Sequence, residues 1–160
     1  MTVSYLEPSE WYSSLPTVYL AASVLLTDVH DRVLLVKPSY RPEWGMPGGV
    51  VEDGETPHEC AVREIGEELA LTIRADDLLV VDWSAPLGDR PRSLMVFLFD
   101  GGTVPDPSRI RLPPDELEDV TFLPWNDAAA LLPGHIAPRI PAARRARQEG
   151  RTIYLPGQAG

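Results

Sequence analysis

Residues 49–71 read GVVEDGETPHECAVREIGEELAL and directly follow Gly48. Three glutamates, Glu64, Glu67 and Glu68, fall within five residues on a predicted helix behind this glycine pair. Like charges at this spacing destabilise a helix, so the cluster indicates a cation that holds the carboxylates together. Carboxylate oxygens are hard donors, which favours Mg²⁺, or alternatively Mn²⁺, as that cation.

The same stretch predicts where the helix begins and which face it buries. Thr56 is a favourable N-cap, a proline follows it, and Glu59 stands three residues after the cap, as in a capping box. Val62, Ile65 and Leu69 then recur at helical spacing and predict a face that packs on a sheet. The three glutamates occupy an adjoining arc of about 100°, which is free to face a cleft.

This stretch resembles the signature of the Nudix hydrolases: Gly, five residues, Glu, seven residues, Arg-Glu, an aliphatic residue, any residue, Glu-Glu, any residue, Gly and an aliphatic residue. The positions in register are Gly49, Glu55, Arg63, Glu64, Ile65, Glu67, Glu68 and Leu71. Residues 44–49 and 115–118 also resemble segments that flank the signature in the family. Ala70 replaces the last glycine, which costs about 1 kcal/mol at a left-handed helix end but removes no ligand.

The resemblance implies an α+β fold, a Nudix-like α/β/α sandwich with a mixed β-sheet between helices. It also implies a metal site built from one helix and a backbone carbonyl of the preceding glycine pair: Glu64, Glu67, Glu68 and Gly48 or Gly49. In the family, the equivalents of Arg63 and Glu55 brace the loop against the helix. Arg63 therefore is expected to bind Glu55 through two parallel hydrogen bonds.

A general base often comes from outside the signature in this family, at a position that varies. The acidic run before Val120 contains our first candidate, Glu116, and our second, Glu118. Trp44 and Tyr40 are candidates to stack on a nucleobase, although packing inside the fold is an equal alternative for both.

The other reactive or charged side chains favour ordinary structural roles. Cys60 lies inside the predicted helix, where a small buried thiol is more typical than a nucleophile. Surface positions are expected for His30, His58 and His135 and for the basic cluster of Arg144, Arg145, Arg147 and Arg151.

Length and composition narrow the class of protein. At 160 residues, one Nudix hydrolase domain over residues 1–160 is expected, with residues 1–16 and 156–160 peripheral. The formal net charge of −10 argues against a nucleic-acid polymer as partner, but not against a small phosphorylated ligand whose charge a metal offsets. A single cysteine fits a cytoplasmic protein, and neither a signal peptide nor a membrane-spanning run is visible.

Hydrophobic periodicity and turn residues predict the remaining elements. Strands are expected at residues 17–27, 33–36, 78–83, 93–99, 120–123 and 151–155, and helices at residues 125–132 and 137–148. A long loop is expected at residues 100–114, which are rich in glycine and proline.

Three functions are compatible with these features. The first is a metal-dependent hydrolase that cleaves a diphosphate bond in a nucleoside diphosphate linked to another group: a nucleotide sugar, ADP-ribose, a dinucleoside polyphosphate or an oxidised nucleoside triphosphate. The second is a nucleotide-sensing Nudix-like domain without turnover; such domains usually lose signature carboxylates, which this chain retains. The third, an isoprenoid diphosphate isomerase, uses a cysteine outside the helix, and Cys60 lies inside it. A homodimer is common in the family, although one sequence shows no interface.

Overall fold

The computed structural model describes residues 6–157. Within this range the helices are α1 Pro8–Ser14, α2 Pro57–Leu69, α3 Trp125–Leu131 and α4 Arg139–Glu149, with a 3-10 turn at Pro107–Arg109. The strands are β1 Tyr19–Asp28, β2 Val33–Pro38, β3 Gly48–Val50, β4 Asp77–Ser84, β5 Leu94–Val104, β6 Leu117–Leu123 and β7 Ile153–Leu155. None of the helices in residues 6–157 combines the length and apolarity that crossing a bilayer requires.

The strands described here form one mixed sheet in the order β6-β2-β1-β5-β4-β7, with β3 paired to β1. β1 runs parallel to β5 and β4 runs parallel to β7, whereas the other pairs are antiparallel. β2 pairs with β1 only at Thr27, and β3 occupies the rest of that edge, where Gly49 lies opposite Ala22. The glycine pair that precedes α2 is therefore fixed to the sheet by backbone hydrogen bonds.

Helices cover both faces of this sheet. On one face α2 packs against side chains of β1, β2 and β5, among them Val24, Leu34 and Phe99. On the other face α3 and α4 pack against β1, β2, β4, β5 and β7, with Trp125 and Ile140 in the contact. This arrangement confirms the predicted α+β fold with a mixed sheet between helices.

The start of α2 matches its prediction, because Thr56 and Glu59 form both halves of a capping box. The prediction that Val62 belongs to the packed face is wrong: its side chain is 36% exposed. Cys60 and Ala61 are buried instead, together with the predicted Ile65 and Leu69. The buried stripe includes residues 61, 65 and 69, four apart, so it lies slightly to one side of the face that the sequence pattern indicated.

The predicted loop at residues 100–114 is wrong in its first part, since β5 continues to Val104. The pairing between β1 and β5 shifts between Leu25 and Thr27, so Gly101 and Gly102 form an irregularity in the strand rather than its end. A Cβ on Gly101 would lie 2.5 Å from Cγ1 of Val24 and 2.6 Å from Cδ2 of Leu26, so glycine leaves room for these two side chains of β1.

The sequence analysis also missed two short elements. It did not predict β3, and it did not predict α1, a helix that buries none of its side chains. Of the segments expected to be peripheral, residues 1–5 and 158–160 lie outside the described part of the chain.

Replacing Ala70 with glycine should stabilise the protein. Ala70 caps α2 in the left-handed conformation, with φ 55° and ψ 32°, and its N–H bonds to the carbonyl of Gly66. Glycine adopts this conformation freely, so Ala70→Gly should raise the free energy of unfolding by about 1 kcal/mol in urea denaturation. Ala130→Gly, on an exposed right-handed position of α3, should lower it by up to about 1 kcal/mol. A loss of stability in Ala70→Gly would contradict this account of the helix end.

Candidate active site

The α2 glutamates meet the sheet at the glycine pair. Gly48 donates its backbone N–H to Oε2 of Glu68 at 2.9 Å. An added Cβ on Gly49 would lie 2.2 Å from Oε1 of Glu64, and one on Gly48 would lie 2.1 Å from the carbonyl oxygen of Ala22. Glycine is required at position 48, because its φ is +139° and the β1 backbone leaves no room for a Cβ, and a side chain at position 49 would displace the carboxylate of Glu64.

Arg63 is the centre of an ion-pair network beside this contact. Its Nε and Nη2 bind Oε1 and Oε2 of Glu55 at 2.7 and 3.0 Å, which is the predicted two-point pairing. Its Nη1 donates to Oε1 of Glu64 at 2.8 Å and to Oε2 of Glu67 at 3.1 Å. Arg63 thus connects the loop before α2 with two of the three clustered glutamates.

Glu55 organises that loop through its backbone. Its Oε2 accepts the N–H of Glu52 at 3.0 Å, which closes the turn between β3 and α2. Hydrogen bonds from Arg63, and then from the Glu52 N–H, lower the pKa of Glu55 to about 2. Glu55 therefore stays ionised and serves as a fixed counter-charge to Arg63.

The surroundings of Glu64 and Glu68 raise the pKa values of these carboxyls, whereas those of Glu55 lower its pKa. Burial raises the pKa of Glu68 to about 7, and the negative charges of Glu64 and Glu116 add to the rise, although the Gly48 N–H opposes it. Burial likewise raises the pKa of Glu64, and Glu67 and Glu116 contribute. Negative charge is therefore costly here, which is the condition under which a bound cation stabilises carboxylates.

The donor set of this site suits a hard divalent cation, since it consists of carboxylate and backbone carbonyl oxygens. Within residues 6–157, no three acidic, histidine or cysteine side chains are already arranged to enclose a metal ion. Arg63 binds Glu64 and Glu67, while Glu68 accepts the N–H of Gly48. Glu64 and Glu67 each use one oxygen for Arg63, so the second oxygen of each carboxylate remains free of this ion pair.

The two acidic candidates outside the signature lie in different surroundings. Glu116 is close enough to α2 for its charge to raise the pKa of Glu64 and Glu68. Its backbone carbonyl accepts the N–H of Ser39 at 2.9 Å, which anchors the segment before β6. Glu118 instead forms a surface ion pair with Lys37. Glu116 is therefore the candidate that the fold brings to the carboxylate cluster.

The two aromatic candidates also differ in their surroundings. Trp44 is partly buried and packs against the core beneath α3 and α4, in agreement with the packing alternative. Tyr40 is 76% exposed and is free to contact a ligand. Cys60 is 0% exposed beneath the carbonyls of Gly49 and Val50, in agreement with its predicted structural role.

The basic cluster is only partly a solvated face. Arg144, Arg145 and Arg151 are exposed as expected, but Arg147 is half-buried and binds Asp100 with distances of 2.6 and 2.9 Å. The three histidines are exposed as predicted.

The sequence analysis missed Arg41 and Asp82. Arg41 lies in the loop between β2 and β3, and its charge partly opposes the burial that raises the pKa of Glu68. Asp82 is a buried carboxylate in β4 that pairs with Arg139 of α4. The signal for Asp82 was present, since a lone acid in an otherwise apolar strand indicates a buried partner or a ligand.

The sequence of this chain matches a known protein family over most of its length. The NUDIX domain family matches residues 18–145, which is most of the chain. The chain belongs to the NUDIX domain family. The match contains β3, α2 and all the glutamates discussed above.

Individual NUDIX relatives are similar over shorter segments. The uncharacterized Nudix hydrolase orf19 of Rhodococcus erythropolis is 36% identical over 75 residues, 41% of this chain and 40% of the relative. The ADP-ribose pyrophosphatase of Methanocaldococcus jannaschii is 42% identical over 76 residues, 44% of either chain. These matches therefore span less than half the length of each curated relative.

Solved structures share the NUDIX fold. The MutT protein of Methanosarcina mazei Go1 superposes with a TM-score of 0.70 at 21% identity, covering 84% of this chain and 99% of that one. At this identity the likeness concerns the fold alone.

Replacing Glu68 with glutamine should remove one source of the pH dependence of the free energy of unfolding. The folded-state pKa of about 7 exceeds the ordinary 4.5, so the folded protein binds more protons than the unfolded chain between these values. The contribution of Glu68 to stability without metal therefore falls as pH rises through that window. Glutamine still accepts the Gly48 N–H but stays neutral, so Glu68→Gln should raise the free energy of unfolding at pH 8 by about 1–3 kcal/mol.

Urea denaturation in the presence of a chelator at about pH 4 and about pH 8 measures this effect. The difference between wild type and Glu68→Gln should vanish at the lower pH. Glu10→Gln, an exposed change on α1, should follow the wild type throughout. If the difference in the free energy of unfolding between wild type and Glu68→Gln were the same at both pH values, the raised pKa of this carboxyl would be contradicted.

Proposed function

We propose that this protein is a divalent-metal-dependent hydrolase that cleaves the diphosphate bond of a nucleoside diphosphate linked to another group. The observation that carries the proposal is the packing of Glu64 and Glu68 against Gly48 and Gly49. Two half-buried carboxylates with raised pKa values face the same backbone, and a cation would relieve their repulsion.

The proposed metal ligands are Glu64, Glu67, Glu68 and a carbonyl of the glycine pair. Gly49 O already accepts the thiol of Cys60 at 3.6 Å, which favours the carbonyl of Gly48. When bound, Mg²⁺ or Mn²⁺ would neutralise charge on the diphosphate oxygens and make a water molecule more acidic.

The chain itself contributes positioning and proton transfer. Arg63 and Glu55 hold the loop against α2, so that Gly48 keeps its distance to Glu68. Glu116 is the proposed general base, because it is the acidic group outside the signature whose charge acts on Glu64 and Glu68. Tyr40 and Arg41, both exposed in the loop between β2 and β3, are the proposed contacts to substrate.

The substrate class follows from the chemistry of the site and from relatives. The relatives named above include an ADP-ribose pyrophosphatase, and a solved UDP-X diphosphatase shares the fold with a TM-score of 0.71 at 20% identity, over 95% of this chain and 76% of that one. Both names describe a nucleoside diphosphate linked to a second group. We propose the same class here, in a cytoplasmic protein whose residues 1–160 act as one domain.

A sensing domain without turnover is the alternative. The retention of Glu55, Glu64, Glu67 and Glu68 counts against it, because a purely binding role does not require the complete set. The isomerase alternative needs an accessible cysteine, whereas Cys60 is fully buried and burial raises the pKa of its thiol to about 11.

A panel of nucleoside diphosphate derivatives, incubated with Mg²⁺ and scored by phosphorus-31 NMR, tests the proposed hydrolase. We expect the wild type to release a nucleoside monophosphate from at least one compound. Glu67→Gln and Glu68→Gln should lose about a hundredfold or more in kcat, since each removes a metal ligand. Glu149→Gln, at the far end of α4, should act as wild type.

Two results would overturn the proposal. The first is a folded wild type that is inert over the whole panel. The second is turnover that persists unchanged in Glu68→Gln, because the site described here would then not be the catalytic one. If ligands bind equally to wild type and Glu68→Gln without turnover, the sensing alternative gains support.

A further inference from the structure

The helix α1 exposes an apolar surface that residues 6–157 leave uncovered. None of its seven residues has a buried side chain. Trp11 and Tyr12, the aromatic pair of this helix, are 48% and 67% exposed, and their ring centroids lie 4.9 Å apart. Leu6 and Leu15 beside the helix are exposed as well. A helix of two turns is marginal in water without a packed face, so a surface that covers α1 would stabilise it.

The segment that contains α1 is acidic. Residues 6–18 include Glu7 and Glu10, and they contain no lysine, arginine or histidine. Glu7 precedes Trp11 by one helical turn, so a negative charge and the aromatic pair share one side of α1. A surface that fits this helix therefore needs an apolar lining and a positively charged rim.

A groove of about 380 Å³ between α3 and α4 has this composition, and we call it the α3–α4 groove. Its apolar lining consists of Trp125, Ala129, Ile140 and Pro141. Arg144 and Arg145 also line it, and both side chains are exposed. The groove lies on the opposite face of the sheet from α2, so the proposed hydrolytic mechanism does not use it.

The positive charge of this groove has no counter-charge within the described part of the chain. Arg139, Arg147 and Arg151 of the same region each bind a carboxylate. Arg144 and Arg145, the rim arginines, form no ion pair with any of residues 6–157. In a chain of net charge −10, two adjacent arginines without acidic partners provide a local positive surface for an acidic segment.

One rim arginine is held in place before anything binds. The guanidinium carbon of Arg144 lies 5.5 Å from the ring centroid of Trp125. Trp125 is fixed in turn, because its Nε1–H donates to Oδ2 of Asp31 at 3.0 Å. Stacking on this ring limits the side-chain freedom of Arg144, so less conformational entropy is lost when a partner docks.

The length of β1 separates α1 from the Trp125 end of the groove in its own chain. α1 precedes β1, which begins at Tyr19, whereas Trp125 binds Asp31 in the turn after β1. The ten residues of β1 span about 30 Å. The chain from Ser14 to Tyr19 reaches at most about 17 Å, and one helical turn adds about 5 Å. The aromatic pair therefore falls short of that end, whereas a second copy offers the same groove without this limit.

We propose that two copies of this chain form a dimer in which α1 of each copy docks in the α3–α4 groove of the other. The aromatic pair covers the apolar lining, and Glu7 and Glu10 face the rim arginines. The exchange is reciprocal, so it closes with twofold symmetry and leaves neither surface for a third copy. Tryptophan, tyrosine and arginine are also the residues that most often dominate the binding energy of an interface.

Sedimentation equilibrium of the full chain over a wide range of protein concentrations tests this interface. The wild type should dimerise, and added salt should weaken the dimer because the contact includes opposite charges. Trp11→Ala/Tyr12→Ala, the helix variant, should raise the dimer dissociation constant by about a hundredfold or more. Arg144→Glu/Arg145→Glu, the groove variant, should raise it by about tenfold or more.

Matched controls alter the same residue types elsewhere on the surface. Tyr154→Ala removes an aromatic side chain of β7 that is 60% exposed. Arg74→Glu/Arg109→Glu reverses two exposed charges outside the groove. Both controls should dimerise like the wild type, and circular dichroism verifies that every variant is folded.

A mixture of the helix variant and the groove variant tests the reciprocity of the exchange. Each variant alone lacks one half of both contacts, so it retains no complete contact in its own dimer. In the mixed dimer, the intact α1 of the groove variant meets the intact groove of the helix variant. The mixture should therefore form more dimer than either variant alone at the same total concentration.

Three results would overturn the proposed dimer. The first is a wild type that stays monomeric at every concentration. The second is a dimer that either the helix variant or the groove variant leaves unchanged, because another surface would then hold the copies together. The third is protection of the α1 amides from hydrogen exchange that does not depend on protein concentration, since the helix would then be covered by its own chain.

Discussion

The ion pairs of Arg63 are the interaction on which the rest of this site depends. One guanidinium binds Glu55 at two points and also reaches Glu64 and Glu67. It thereby joins the loop after β3 to the helix that follows, and it offsets part of the negative charge that α2 concentrates there. Hydrogen bonds to Glu55 are the largest cause of the raised pKa of Arg63, so this positive charge is permanent.

This arrangement does not offset the negative charge of Glu68, and the proposed function depends on this carboxylate. Glu68 lies deeper than Glu67 and is held by a backbone N–H rather than by a cation. Its raised pKa measures the cost of ionising it beside Glu64 and Glu116. In the proposed function, a divalent ion would remove that cost and would bring the positive charge that a chain of net charge −10 needs to hold a diphosphate.

Local signals in the sequence predicted the local parts of the structure. The capping box at Thr56 and the pairing of Arg63 with Glu55 join residues that are close in sequence, and β1 and β2 are continuous apolar runs. Features that depend on distant partners were missed or wrong. β3 pairs with a part of β1 that β2 does not cover, and β5 stays paired with β1 on both sides of Gly101 and Gly102. The pair of Asp82 with Arg139 joins a strand and a helix that are far apart in sequence, so no motif reveals it.

Calorimetric titration of the metal-free protein with Mg²⁺, in two buffers that differ in ionisation enthalpy, tests the central claim most directly. Glu68, with a pKa of about 7, must lose its proton to bind the ion. At about pH 6 the account predicts release of close to one proton for each ion bound, and at about pH 8 almost none. Absence of Mg²⁺ binding at both pH values, or binding with the same proton release at both, would contradict it.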